Sequence, residues 1–182
     1  MQLISPEKIF RGNGAWFKAL PHIKEVSKRP LLLGRSISTN NLRQQVYKDL
    51  QEENISIYSS NLQFDCCYED LERIRTIILK NNCDSIIAIG GGKVLDAGKF
   101  LGDSLSIPVI TIPLSASTCA GWTALSNIYS INGQFIEDVE LNSCPKILVL
   151  DHGFIKTAPK RTLASGIADA LAKWYESSLT SS

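Results

Sequence analysis

The chain has 182 residues, 44% of them hydrophobic and 20% charged, and a formal net charge of +1. Those values fit a globular protein of one domain or one and a half. They leave no electrostatic case for nucleic acid or an anionic membrane, and no apolar run reaches the ~20 residues of a membrane-spanning helix.

In chain order, Ile9-Phe10 and Gly12-Asn13-Gly14 predict a short strand and turn, with a helix starting between Gly14 and Leu20. Leu31-Leu32-Leu33 predicts a buried strand ending at Gly34-Arg35. Leu42, Val46 and Leu50 mark a helix from Thr39 to Glu53, and Ile55-Ser56-Ile57-Tyr58 a further strand. Leu71, Ile74, Ile77 and Ile78 give a helix closing before Asn81-Asn82. Ser85 to Ile89 is an apolar run of the kind buried on both faces of a parallel sheet. Pro108 to Pro113 is another strand. The alternation predicts an α/β fold with a doubly wound parallel sheet, whose ligand edge carries the strand C-termini. Beyond it, Asn132-Gly133 between Ser126–Ser130 and Gln134–Ile136 signals a hairpin. Lys146 to Asp151 is one more buried strand. Thr157 is expected to cap a helix containing Pro159, broken at Gly166, with a second helix from Ile167 past Trp174. Leu163, Ile167, Leu171 and Trp174 require a partner surface, either the sheet or a second domain.

The stretch with the most chemistry is Gly90-Gly91-Gly92-Lys93, between the Ser85–Ile89 strand and a helix with Val94, Ala97, Gly98 and Leu101 on one face. Glycines let a ligand approach the backbone, and the following helix N-terminus favours an anion. Lys93 adds positive charge, so a phosphate or pyrophosphate fits; a bare strand-to-helix turn is the alternative. No Ser or Thr follows Lys93, which excludes a Walker A loop, and Gly90-x-Gly92-x-x ends on Leu95, unlike the usual dinucleotide fingerprint. The five cysteines (Cys66, Cys67, Cys83, Cys119 and Cys144) contain no C-x-x-C. They predict reduced thiols and a cytoplasmic setting, and Met1 to Arg11 lacks a signal-peptide core.

GGGKVLDAGK, IPLSASTCAGWTALSNIYS, PKILVLD and the APKRTLASGIADALAKWYES segment, in that order, resemble the iron-containing alcohol dehydrogenase family, glycerol dehydrogenase branch. The resemblance implies a dinucleotide-binding domain over residues 1–156 and the opening helices of a truncated helical metal-binding domain over 157–182. It implies hydride transfer between NAD or NADP and a small alcohol or aldehyde, a divalent zinc or iron ion acting as Lewis acid, and a homo-oligomer in the full-length protein. It assigns Gly91, Gly92 and Lys93 to the pyrophosphate turn and Asp96 to that motif, in the first turn of its helix. Ser117, Thr118, Thr123, Leu125 and Tyr129 match cofactor contacts; the bland reading of Leu125 and Tyr129 is hairpin packing. Asp169 matches the metal-binding aspartate, against an ion pair with Lys173.

Three positions depart from the family pattern. Cys119 stands where the family has a substrate-binding Asp, Gly121-Trp122 where it has Pro-Thr, and Leu114 where it has Thr beside the cofactor. Cys119 and Trp122 therefore predict a less polar substrate pocket than glycerol requires. Arg35 replaces an aspartate that reads the adenosine ribose, and with Ser36 and Ser38 it favours a 2′-phosphate. His22 and His152, the two histidines, fall in no matching motif, so the metal site is expected to be incomplete and the chain alone inactive. The alternatives are a sugar-phosphate cyclase of the dehydroquinate synthase type and a non-catalytic dinucleotide-binding module.

Overall fold

The computed structural model describes residues 5–180; the first four residues of the Met1–Arg11 stretch and the final two serines lie outside it. In chain order the elements are β1 (Lys8–Gly12), α1 (Ala15–Val26), β2 (Pro30–Gly34), α2 (Asn40–Glu52), β3 (Tyr58–Asn61), α3 (Tyr68–Lys80), β4 (Ser85–Gly90), α4 (Gly92–Leu105) and β5 (Val109–Pro113). There follow β6 (Leu125–Tyr129), β7 (Phe135–Glu140), β8 (Ile147–Asp151), α5 (His152–Lys156) and α6 (Lys160–Thr180). Six strands form one parallel sheet in the order β1-β8-β5-β4-β2-β3, and β6 and β7 form a separate antiparallel hairpin.

Residue alternation along the central strands divides the core between two faces. Leu32, Ile87, Ile89, Ile110 and Ile112 pack with Trp16, Ile23, Val46, Leu50 and Phe154 from α1, α2 and α5. Leu31, Leu33, Ile86 and Ala88 pack with Leu71, Ile74 and Ile78 of α3, Leu95 and Leu101 of α4, and Ile128 of the hairpin. Each such Leu, Ile, Val or Phe side chain contributes about 1.5–3 kcal/mol by full burial, which explains why β2, β4 and β5 read as mainly apolar runs, with Thr111 the buried polar residue of β5. Helix α4 lies close on β4: a Cβ on Gly98 would stand 2.6 Å from Ala88 Cβ. That contact places the α4 N-terminus directly after the end of β4.

Three predicted elements differ. The third strand is Tyr58–Asn61 and not 55–58, because its ladder is set by β2, with Leu31 opposite Tyr58 and Gly34 opposite Asn61. Ile55 instead fills the core below α2, and its amide donates to Leu50 O. Thr157 caps no following helix; its hydroxyl closes the end of α5 by donating to Phe154 O at 2.7 Å, and Pro159 precedes α6. Gly166 does not break α6, which runs unbroken over 21 residues. Its missing side chain serves contact: a Cβ there would meet Ala116 O at 2.5 Å. The sheet does not cover the apolar residues of α6. Leu163, Ile167, Leu171 and Trp174 are 54%, 54%, 63% and 74% exposed.

Asp151, at the end of β8, ties this edge together. Its carboxylate accepts from the amide of Trp16 at 3.0 Å and from the amide of Gly153 at 2.8 Å, capping α1 and α5 at once. It is buried, so removal leaves both donors without an acceptor. Asp151→Ala is expected to destabilise the fold by about 2–3 kcal/mol, read as a lower urea midpoint at an unchanged denaturant slope. A midpoint equal to that of the parent would show that water replaces the carboxylate.

Candidate functional site at the reversal of strand order

The chain moves outward from β2 to β3, returns across β2 to β4, and then runs the other way through β5 to β8. Connections on the two sides of this reversal diverge, and a crevice opens beyond the C-terminal ends of β2 and β4. There lies a cavity of about 270 Å³ lined by Arg35, Ser36, Thr39, Gly90, Gly91, Gly92, Lys93 and Val94. Gly91 is the N-cap of α4, so the first amides of that helix have no acceptor within it and its positive dipole end faces the crevice. A Cβ on Gly91 would meet nothing within 4 Å, which leaves the backbone open to a ligand. The opposite wall is braced by Arg43, whose guanidinium is buried and donates to Ser36 O at 2.8 Å. Desolvation holds the Arg43 pKa below its ordinary value.

A second cavity of about 370 Å³ shares Gly91, Gly92 and Lys93 with the first. Its other lining includes Asp96, Ser117, Thr118, Cys119, Thr123, Leu125 and Tyr129. The loop after β5 and the β6–β7 hairpin thus bring six candidates from distant stretches around the glycine turn. Ser115 and Asn127 also line it; as isolated polar loop and hairpin residues they gave no pattern in the sequence. Cys119 is exposed. Leu125 and Tyr129 both line this cavity from the hairpin, and Tyr129 packs edge-on to Phe135 and carries Lys93 Nζ 4.4 Å above its ring.

The charge arrangement contains one residue that the sequence reading missed. Asp65, in the loop after β3, reaches both cations of the glycine-turn cavity. Its Oδ2 accepts from Lys93 Nζ at 2.5 Å, and its Oδ1 lies 2.6 Å from Arg35. The Arg35 contact is an ion pair without hydrogen-bond alignment, so Oδ1 has no hydrogen-bond partner although buried. No local pattern marks Asp65, because its partners are 30 and 28 positions away and meet it only through the sheet.

Asp96 lies in the second turn of α4 and not the first, which has no acidic residue. Its carboxylate pairs with Lys99 at 3.0 Å, and both side chains are nearly inaccessible. Burial raises the Asp96 pKa from its ordinary value, with Lys99 opposing. Lys99 also donates to Thr123 O and Oγ1. This buried network fixes the hairpin entrance to α4 and occupies the Thr123 hydroxyl. Ser36 and Ser38 likewise spend their hydroxyls on each other at 2.7 Å.

Leu114 and Trp122 stand apart from the other candidates. Leu114 is 5% exposed and belongs to the core, so its side chain does not face the cavity. Trp122 is partly exposed and lines neither cavity. Asp169 lies on the exposed length of α6, and Lys173 pairs with Glu176 at 2.9 Å instead of Asp169. Among the described residues no three His, Cys, Asp or Glu side chains converge as a metal site. A larger cleft of about 750 Å³ lies near the N-terminal ends of β5 and β8. Of its cations, Lys99 is held by Asp96 and Lys146 by Glu7, and no helix N-terminus opens into it, so the strand-reversal crevice is the better-built site. No helix among the described residues is long and apolar enough to cross a membrane.

A model of the iron-containing alcohol dehydrogenase family matches residues 6–152. An uncharacterized oxidoreductase of Synechocystis sp. is 38% identical over 98% of this chain and 46% of its own length. A glycerol dehydrogenase of Escherichia coli is 32% identical over 94% of the chain and 47% of its own length. The crystal structure of a probable glycerol dehydrogenase from Sinorhizobium meliloti superimposes with a TM-score of 0.84 at 26% identity, over 96% of this chain and 47% of that one. The chain spans about half the length of the relatives it matches. The parallel sheet with helices on both faces is that of the dinucleotide-binding half of such structures. By sequence and by fold, this chain belongs to the iron-containing alcohol dehydrogenase family.

Proposed function

We propose that the chain is the cofactor-binding part of a metal-dependent oxidoreductase. It moves a hydride between a nicotinamide dinucleotide and a small alcohol or carbonyl compound. Residues 1–156 are its dinucleotide domain, and α6 opens a second, helical one. The observation that carries this reading is the crevice at the strand reversal, where an open glycine turn, a helix N-terminus and two cations face one cavity. Glycerol dehydrogenases among the relatives support the reaction class.

The residues fit a dinucleotide. The free amides at the start of α4 and Lys93 bind the pyrophosphate, and Arg35 takes the adenosine end. Ser117 and Thr118, in the adjoining cavity, orient the nicotinamide, and Tyr129 holds Lys93 from beneath. When bound, the nicotinamide supplies the carbon that accepts or gives the hydride. The chain's own work is to bind, orient and keep water from the reacting face. The divalent metal of the family does not fit the residues present: Asp169 is one candidate ligand without converging partners. The purified chain is therefore expected to bind dinucleotide without metal-dependent turnover, and Asp169→Asn to leave that binding unchanged. A metal-dependent rate from the chain, with host enzymes excluded, would refute this.

Arg35 favours NADP(H) over NAD(H), since a planar set of donors suits phosphate oxygens. Calorimetric titration of both cofactors should show tighter NADPH binding, and Arg35→Asp should reverse the ratio by roughly tenfold or more, the effect of losing a charged hydrogen bond. Equal affinities in the parent would mean that Arg35 does not read the cofactor.

Cys119, exposed in the second cavity, cannot accept hydrogen bonds from vicinal hydroxyls as a carboxylate does. The substrate is accordingly an alcohol or aldehyde with fewer hydroxyls than glycerol. In a protein carrying this chain and the rest of the family's length, Cys119→Asp should gain roughly tenfold to a hundredfold in kcat/KM toward glycerol. A parent that already prefers glycerol in a substrate panel would end the idea.

A further inference from the structure

Asp65 lines neither the glycine-turn cavity nor the cavity beside it. It lies behind both cations, 8% exposed, while the Arg35 and Lys93 side chains are 43% and 37% accessible. One carboxylate therefore pairs with both groups that face the crevice. It does so from two directions: Lys93 projects from the first turn of α4, and Arg35 from the end of β2. The hairpin tip closes over it, because a Cβ on Gly133 would meet Asp65 Oδ2 at 3.4 Å. The carboxylate is thus held by its surroundings and shielded from water. Lys93 is further held by the Tyr129 ring.

We propose that Asp65 is a positioning residue that sets the phosphate affinity of this site and its choice between dinucleotides. The inference rests on the dinucleotide reading above. A phosphate that reaches Arg35 or Lys93 must share the cation with Asp65 or displace it. Asp65 is an internal anion that competes with the ligand, and it lowers the net charge of the cluster from +2 to +1, two cations less one carboxylate. The competition bears most on the dinucleotide with the additional phosphate. Lys93 serves the pyrophosphate common to both cofactors, whereas Arg35 serves the 2′-phosphate of one. Removing the shared carboxylate frees both cations, so both cofactors gain and the phosphorylated one gains more.

The test is calorimetric titration of NADPH and NADH into the 182-residue chain and into Asp65→Asn, at two salt concentrations. The variant is expected to bind NADPH on the order of tenfold more tightly, the effect of one unit charge a few ångströms away in a half-exposed site. NADH should gain less, and the salt dependence of NADPH binding should steepen, because freed surface charges are more strongly screened. Asp65→Glu should keep the parent ratio. In an Arg35→Gln background, Asp65→Asn should no longer change the ratio. If Asp65→Asn does not fold, Asp65→Ser serves the same comparison, with native circular dichroism as the check. An unchanged ratio, or weaker binding of both cofactors by a folded variant, overturns the inference while leaving the dinucleotide reading intact. Absence of any dinucleotide binding by the parent overturns both.

Discussion

A parallel sheet puts every strand C-terminus on one edge, and the order of this sheet reverses between β2 and β4. Those two facts together position the site. The buried central strands are held from both faces by apolar side chains, and they cannot slide by one residue without exposing half of the core. The ends of β2 and β4, and with them Arg35 and the glycine turn, are therefore placed by the core and not by the loops. Gly98 extends the same constraint to α4. Its close approach to Ala88 leaves the helix one position on the strand, which fixes where the free amides at its start point.

Around that rigid edge, charge is distributed sparingly. Asp96 and Lys99 form a buried pair that anchors the hairpin, while Asp65 holds the two cations of the crevice. Breaking a buried pair costs far more than the pair itself stabilises, so the Asp96–Lys99 network is a structural fixture. The Asp65 cluster is half exposed on its cationic side. The shared carboxylate offsets part of the positive charge that the two cations present to the crevice.

The loop after β5 and the hairpin complete the second cavity without joining the sheet. Their polar residues vary in use: Thr123 is committed to Lys99, Ser117 shares a bond with Ser115, and Cys119 is open to solvent. Helix α6 touches the rest of the chain closely at Gly166 and Ala116 and leaves its apolar side chains exposed. The relatives above are roughly twice as long as this chain.

Much of this was legible before any coordinates. The apolar runs at 31–33, 85–89, 108–113 and 146–151 dictated buried parallel strands, since residues covered on both faces leave no alternation. The three glycines ahead of a helical period marked a bare backbone at a helix N-terminus, where Gly91 caps α4 with open space around it. The third strand was misplaced for a reason of the same kind: an edge strand buries little, so Tyr58–Asn61 carries no apolar signature and its register comes from β2. Gly166 reads as a breaker locally, yet its role is a close contact with Ala116 that only packing creates. Leu114 aligned with a pocket residue, but its side chain turned into the core. Asp65 had no signal at all, because its partners are decided by where the end of β2, the loop after β3 and the start of α4 meet. Local sequence determines which segments must be buried and where the backbone is left bare. Tertiary structure alone decides which distant charges share a site, because that depends on strand order, and strand order is a property of the whole chain.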